Sequence, residues 1–127
     1  MLGYLDHDDA HIFDVRTAAE WQFVGTPDLE GKNAKYIQSE LFEYPGMAFN
    51  NNFITDFDNQ FSGNKESLIF CLCRSGARSQ KAAEILRDLG YKNLFNITDG
   101  FEGDLNNKSQ RSSASGWKFS GLPWKQS

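Results

Sequence analysis

The stretch Ser67-Leu-Ile-Phe-Cys-Leu-Cys73, with the Arg74-Ser-Gly-Ala-Arg78 that follows it, decides the fold. The apolar run from Leu68 to Leu72 has no polar interruption, which is typical of a central parallel strand covered on both faces. After the compact loop, residues 79–89 carry one apolar stripe at helical spacing, and Gly90 stands where a helix commonly ends. The stretch therefore predicts a buried strand, a tight loop and a helix in direct succession.

Segments on either side repeat this order of elements. A strand is predicted at 11–15, and a short helix follows it because Thr17 and Glu20 have the spacing of a capping box. The further predicted elements are strands at 34–38 and 93–97 and a helix over 51–60. Strands and helices in alternation imply right-handed crossovers, so we expect an α/β fold with a parallel sheet flanked by helices.

Composition and charge limit the function classes. With 127 residues, 39% of them hydrophobic, the chain suits a single domain, expected to span 1–127 with a flexible polar loop at 105–115. No apolar run approaches the length of a membrane span, and the first residues lack the pattern of a secretory signal. The net charge of −4 argues against a nucleic-acid partner. We therefore predict a cytoplasmic protein that binds neither membranes nor nucleic acids.

Cys73 is the candidate catalytic residue. It ends the most buried strand, at the sheet edge where parallel sheets bind ligands, and it is followed by a helix N-terminus, which favours an anion. Arg74 and Arg78 add charge that stabilises a thiolate, and Gly76 allows the loop amides to point inward. The pattern predicts a nucleophilic sulfur in a cationic bowl, able to attack an electron-poor sulfur on a small anion or to hold a persulfide.

The remaining thiol and the histidines are assigned no catalytic role. Cys71 lies inside the apolar run and is expected in the core, while its closeness to Cys73 disfavours a disulfide. Both thiols are therefore expected to be free, as in a reducing compartment. Tetrahedral zinc needs four ligands, and His7 and His11 lie far from the cysteines in sequence, so neither a metal nor a cofactor is expected.

Asp14 and Arg16 are predicted to support the site. They end the first strand at the same sheet edge as Cys73. One interpretation is an ion pair between Arg16 and Glu20 that fixes the strand-to-helix turn. The alternative is that Asp14 holds the active loop through hydrogen bonds.

Four motifs occur in a recognisable order between Ile12 and Trp124. They are Asp14-Val-Arg-Thr-Ala-Ala-Glu-Trp21, Cys73-Arg-Ser-Gly-Ala-Arg-Ser79, Asp99-Gly-Phe-Glu-Gly103 and Gly121-Leu-Pro-Trp124. Together they resemble a single-domain rhodanese, a sulfurtransferase. The resemblance implies the three-layer rhodanese fold, with a parallel sheet of about five strands. Family members usually have an extra strand and helix ahead of the strand that ends in Asp14-Val-Arg16. Only the ten residues 1–10 precede the strand predicted at 11–15 here, so we expect a sheet that is one strand short or completed by association.

The resemblance also implies an activity. Cys73 would accept sulfane sulfur from thiosulfate or a similar small anion as a persulfide, and would pass it to cyanide or another thiophilic acceptor. A protein that accepts the sulfur is compatible with the same residues. The substrate-binding bowl implied by the family consists of Arg74, Ser75, Gly76, Ala77, Arg78 and Ser79.

Two other functions are weighed against sulfur transfer. Cysteine phosphatases and arsenate reductases also use a nucleophilic cysteine. The phosphatases, however, need an arginine six positions after the cysteine, where this chain has Ser79. The second alternative is a non-catalytic rhodanese module used for partner binding. Such modules typically lack the cysteine that this chain has at position 73.

Overall fold

A computed structural model of the protein describes residues 9–29, 31–43, 48–74, 77–97, 101 and 124–125. Residues 124 and 125 are described through their backbone alone. The predicted polar loop at 105–115 lies outside these residues. So do His7, Ser75 and Gly76 of the sequence analysis, and most of the Asp99–Gly103 and Gly121–Trp124 motifs.

A parallel sheet forms the centre of the described structure. Its four strands are β1 (Ala10–Asp14), β3 (Lys35–Gln38), β6 (Leu68–Leu72) and β7 (Asn93–Asn96), in the order β3-β1-β6-β7. Within the described residues the sheet thus has four strands rather than about five. Residues 1–8, ahead of β1, lie outside them, so the expectation of a sheet one strand short stays a prediction. All three strand pairings are parallel, as the alternation of strands and helices predicted.

In the described part of the chain, three helices flank the sheet. Helix α1 is Ala18–Phe23, α2 is Phe53–Gln60 and α3 is Ala77–Asp88. The predicted capping box is confirmed, because the Thr17 side chain accepts from the Glu20 amide while the Glu20 side chain accepts from the Thr17 amide. The expected stop after α3 is also confirmed, since Gly90 has a φ of 99°, a conformation that favours glycine.

Two helix starts differ from the prediction. Helix α3 begins at Ala77 rather than Ser79, so two residues assigned to the loop are helical. Helix α2 begins at Phe53 rather than 51, because the Asn50 side chain accepts from the Asn52 amide at 2.9 Å and holds a turn ahead of the helix.

Short antiparallel pairs complete the described elements. Strand β2 (Thr26–Pro27) pairs with β8 (Trp124–Lys125), and β4 (Phe42–Glu43) pairs with β5 (Ala48–Phe49). The first pair joins Trp124 and Lys125 to Thr26 and Pro27, while the rest of the aromatic C-terminal stretch lies outside the described residues. Within the described ranges, no helix combines the length and the apolar character needed to cross a membrane.

The core has two layers, one on each face of the sheet. Phe13, Ile69 and Cys71 face α2 and α3, where Phe53, Phe57, Ala82 and Leu86 pack on them. Ile12, Phe70 and Leu72 face the opposite side and pack with Phe101. Because successive side chains of a strand alternate between faces, β6 is buried on both faces, and Cys73 lies on the α3 side.

Candidate active site

Cys73 lies directly after β6, where the chain leaves the sheet toward α3. Its side chain is only 1% exposed and packs in the core layer that includes Ala82. Cys73 Sγ lies 3.4 Å from Ser79 Oγ, and the Cys73 carbonyl accepts from the Phe101 amide at 2.8 Å. The sulfur therefore has hydrocarbon on one side and a hydroxyl of the first turns of α3 on another.

Cys71 lies two residues deeper on the same face of β6. It is fully buried, and both cysteines are free. Burial, reinforced by the electrostatic influence of the neighbouring Cys73, raises the pKa of Cys71 to about 12. This confirms Cys71 as a core residue, protonated and unreactive at neutral pH.

Arg78 forms an ion pair with Glu20 across the cleft between α3 and α1. Its Nη1 and Nη2 donate to the two carboxylate oxygens at 2.6 and 2.9 Å. Desolvation raises the pKa of Glu20, but the hydrogen bond and charge of Arg78 outweigh it, so the pKa is lowered. The predicted pair between Arg16 and Glu20 is therefore wrong, because the Glu20 carboxylate is oriented by the capping box toward α3.

Arg16 instead pairs with Asp14 in the interior. Both side chains are fully buried, and the guanidinium donates to both carboxylate oxygens at 2.9 and 2.7 Å and to the Gly25 carbonyl at 2.8 Å. The Tyr36 hydroxyl donates to the same carboxylate at 2.6 Å. The Arg16 guanidinium also lies over the Phe101 ring, 4.4 Å from its centroid. Because the Phe101 amide binds the Cys73 carbonyl, this network reaches the residue that carries the thiol.

The other predicted bowl residues are less closely grouped. Arg74 and Ala77 are exposed, Ala77 being the first residue of α3. Ser79 is fully buried against the sulfur. The structure thus brings Ser79 into contact with Cys73. Arg78, the preceding residue of α3, is held by its ion pair with Glu20.

Sequence reasoning missed three polar or aromatic groups around the site. Tyr36 binds the Asp14 carboxylate from the neighbouring strand β3, and Phe101 covers Arg16. Asn96, the last residue of β7, accepts a hydrogen bond from the Ser79 hydroxyl. A signal for Asn96 exists in the sequence, because it is the last residue but one of the strand predicted at 93–97, at the same sheet edge as Cys73.

Metal binding finds no support among the residues that the structure describes. No three His, Cys, Asp or Glu side chains there are grouped closely enough to hold an ion. The chemistry that the described groups offer is that of a thiol beside a hydroxyl, an arginine and the start of a helix.

Known proteins resemble the chain over nearly its whole length. Residues 2–127 match the model of the family described as STR4 middle domain. "Uncharacterized protein RP600 homolog" of Rickettsia rickettsii is 40% identical over 120 residues, covering 94% of this chain and 86% of the relative. "Rhodanese-like domain-containing protein 4, chloroplastic" of Arabidopsis thaliana is 26% identical over 119 residues, covering 92% of this chain and 22% of the relative.

A solved structure extends this likeness to the fold. The crystal structure of Rv0390 from M. tuberculosis has a TM-score of 0.83 and 36% sequence identity. The match covers 99% of this chain and 91% of the other. The arrangement of strands and helices is therefore shared across nearly the entire length of both chains.

Proposed function

Because the chain belongs to the STR4 middle domain family and to the rhodanese superfamily, we propose that it is a sulfurtransferase that carries sulfur on Cys73. The sequence motifs, which resemble a single-domain rhodanese, support the same proposal. The observation that carries the proposal is the position of Cys73. Its sulfur stands between the carboxyl end of the central strand and the first turns of α3, 3.4 Å from the Ser79 hydroxyl.

The proposed reaction has two transfers. The Cys73 thiolate attacks the outer sulfur of thiosulfate, so that a sulfur–sulfur bond to the cysteine forms while the bond to the sulfonate sulfur breaks and sulfite leaves. Cyanide, or another thiophilic acceptor, then attacks the outer sulfur of the persulfide. Thiocyanate leaves with cyanide as acceptor, and the thiolate is regenerated without an external oxidant or reductant.

Charge near the sulfur supports an anionic donor. The N-terminus of α3 directs its partial positive charge toward Cys73, since the helix begins four residues after it. Arg78 lies beside the site, but its charge is shared with Glu20. Arg74 is exposed and is the arginine we assign to the first encounter with the donor. Ser75, Gly76 and Ala77 complete the bowl in this proposal.

The position of Arg78 also disfavours phosphate chemistry. A phosphatase arginine must direct both of its terminal nitrogens at the oxygens of the phosphate. Here both terminal nitrogens of Arg78 donate to Glu20 instead. A small acceptor such as cyanide, or a thiol of a partner protein that receives the sulfur, suits the site better. Two free cysteines agree with the reducing, cytoplasmic compartment that we propose for it.

Thiocyanate production from thiosulfate and cyanide tests the proposal. The wild-type protein is expected to catalyse it, and Cys73→Ala is expected to reduce the rate to that of the uncatalysed reaction. Cys71→Ala is the matched control: it removes a thiol from the same strand and the same face, and we expect most of the rate to remain.

Two results would contradict the proposal. Equal loss of rate in the two cysteine variants would show that Cys73 has no special role. Absence of turnover in a folded wild-type protein that binds thiosulfate or sulfite without reacting would favour the non-catalytic module instead.

A further inference from the structure

Asn96 is connected to the Cys73 sulfur through Ser79, and it comes from a strand outside the segment that carries the cysteine. It is the last residue of β7, and the sheet register places it opposite Cys71 on β6. The Ser79 hydroxyl donates to Asn96 Oδ1, and Ser79 Oγ is itself 3.4 Å from Cys73 Sγ. A continuous series of contacts therefore joins the end of β7 to the sulfur.

The other end of this series meets solvent. Asn96 Nδ2 donates to Gln80 Oε1 at 3.3 Å, and Gln80 is exposed. Both side chains line a cavity of about 190 Å³ between α3 and β7. Water can therefore take the place of the Gln80 contact when the Asn96 amide rotates by about 180°.

Protonation of the thiol requires opposite hydrogen bonds from Ser79. A neutral thiol donates to Ser79 Oγ, which leaves the hydroxyl proton for Asn96 Oδ1. A thiolate can only accept, so it favours the orientation in which the Ser79 hydroxyl proton points at Sγ, and Ser79 Oγ can then accept from a donor. The Asn96 amide can serve both states. Its Oδ1 accepts from Ser79 when Cys73 is a thiol, and after a rotation of the amide by about 180° its Nδ2 donates to Ser79 Oγ when Cys73 is a thiolate.

We propose that Asn96 is the positioning residue that sets the direction of the Ser79 hydroxyl proton and thereby the fraction of Cys73 present as thiolate. The proposal deepens the proposed function and rests on it in one respect, namely that Cys73 is the reactive thiol. Asn96 acts through Ser79 and does not itself contact the sulfur donor.

The rate of alkylation by iodoacetamide, measured against pH in a Cys71→Ala background, tests the proposal. Asn96→Asp replaces the amide by a group that only accepts, so it fixes the Ser79 proton away from the sulfur and adds a negative charge. We expect the midpoint of the alkylation profile to rise by about one pH unit. Asn93→Asp is the matched control, since it adds the same charge at the other end of β7, where Asn93 binds the Glu66 carbonyl.

Repeating the measurement in a Ser79→Ala background separates the hydrogen bond from the charge. If Asn96 acts through Ser79, the shift caused by Asn96→Asp falls to less than about half in that background. Gln80→Glu provides a second variant at an exposed position. The new carboxylate accepts from Asn96 Nδ2, so that Asn96 Oδ1 stays directed at the Ser79 hydroxyl. We expect this variant to raise the midpoint of the alkylation profile only while Ser79 is present.

Each outcome decides the proposal. Equal shifts with and without Ser79, or an equal shift from Asn93→Asp, would overturn it, because through-space charge would then explain the data. A parent protein whose Cys73 is not alkylated at any pH would overturn both this proposal and the proposed function. If Asn96→Asp shifts the alkylation midpoint in a way that depends on Ser79, but the wild-type protein produces no thiocyanate, the proposed function alone would be overturned.

Discussion

At the scale of single residues, Asp14 and Arg16 are the charged groups most completely removed from water among the residues that the structure describes. Their side chains are fully buried and joined by two hydrogen bonds, with further bonds from Tyr36 and to Gly25, while Arg16 Nη1 is buried without a hydrogen-bond partner. Desolvation lowers the pKa of Arg16, but the hydrogen bond and charge of Asp14 outweigh it and raise the pKa. Such a pair need add little to stability as a whole, but the loss of one partner leaves an uncompensated charge in the interior.

Asp14→Asn is therefore expected to lower the free energy of unfolding by about 3 kcal/mol or more, because the Arg16 charge then stays buried without a counter-charge. Urea denaturation followed by circular dichroism measures the change. Glu66→Gln is the control, since it breaks an ion pair with Lys92 whose two side chains are each 66% exposed. Comparable losses in the two variants would contradict a special role for the buried pair.

At the scale of elements, β1 shows how the sheet constrains a polar residue. All five of its residues are buried, because β3 and β6 pair with its two edges and core layers cover its two faces. His11 is among them, 1% exposed, with its ring 4.7 Å from that of Phe61 and its Nδ1 3.2 Å from the Asp9 carbonyl oxygen. Burial lowers the pKa of His11 below its ordinary value of 6.5, against the opposing effect of backbone hydrogen bonding.

This lowered pKa predicts a pH dependence of stability. The unfolded chain protonates His11 near 6.5 while the folded protein resists protonation, so the unfolded state binds more protons as the pH falls. The free energy of unfolding is therefore expected to decrease between about pH 7.5 and 5.5. His11→Asn, which retains a donor near the position of Nδ1, should show a smaller decrease. Identical pH dependence in the two proteins would contradict the buried, neutral histidine.

The elements also show what a sequence can reveal and where it stops. The uninterrupted run in β6, the capping box of α1 and the glycine after α3 are local signals, and each predicted its element correctly. The first residue of each helix was harder to predict than the helix itself, because Ala77 and Arg78 suit a loop or a first helical turn equally well. Pairs such as Arg78 with Glu20, which are 58 residues apart, depend on how the helices meet on the sheet.

At the scale of the whole molecule, the parallel sheet gathers residues from distant parts of the chain at one edge. Asp14 ends β1, Cys73 follows β6 and Asn96 ends β7, so three segments meet where the strands finish. The sequence predicted the first two, since they belong to recognisable motifs. The position of Asn96 near the end of a strand was visible in the sequence, but its contact with Ser79 and that of Phe101 with Arg16 could not be predicted, because both contacts arise only once the layers pack.

The central claim is that Cys73 holds a transferable sulfur atom, and intact-protein mass spectrometry tests it most directly. After incubation with thiosulfate, wild-type protein and Cys71→Ala are expected to gain the mass of one sulfur atom and to lose it again on addition of cyanide. Cys73→Ala is expected to gain nothing. An unchanged wild-type mass, or a gain that persists in Cys73→Ala, would contradict the account.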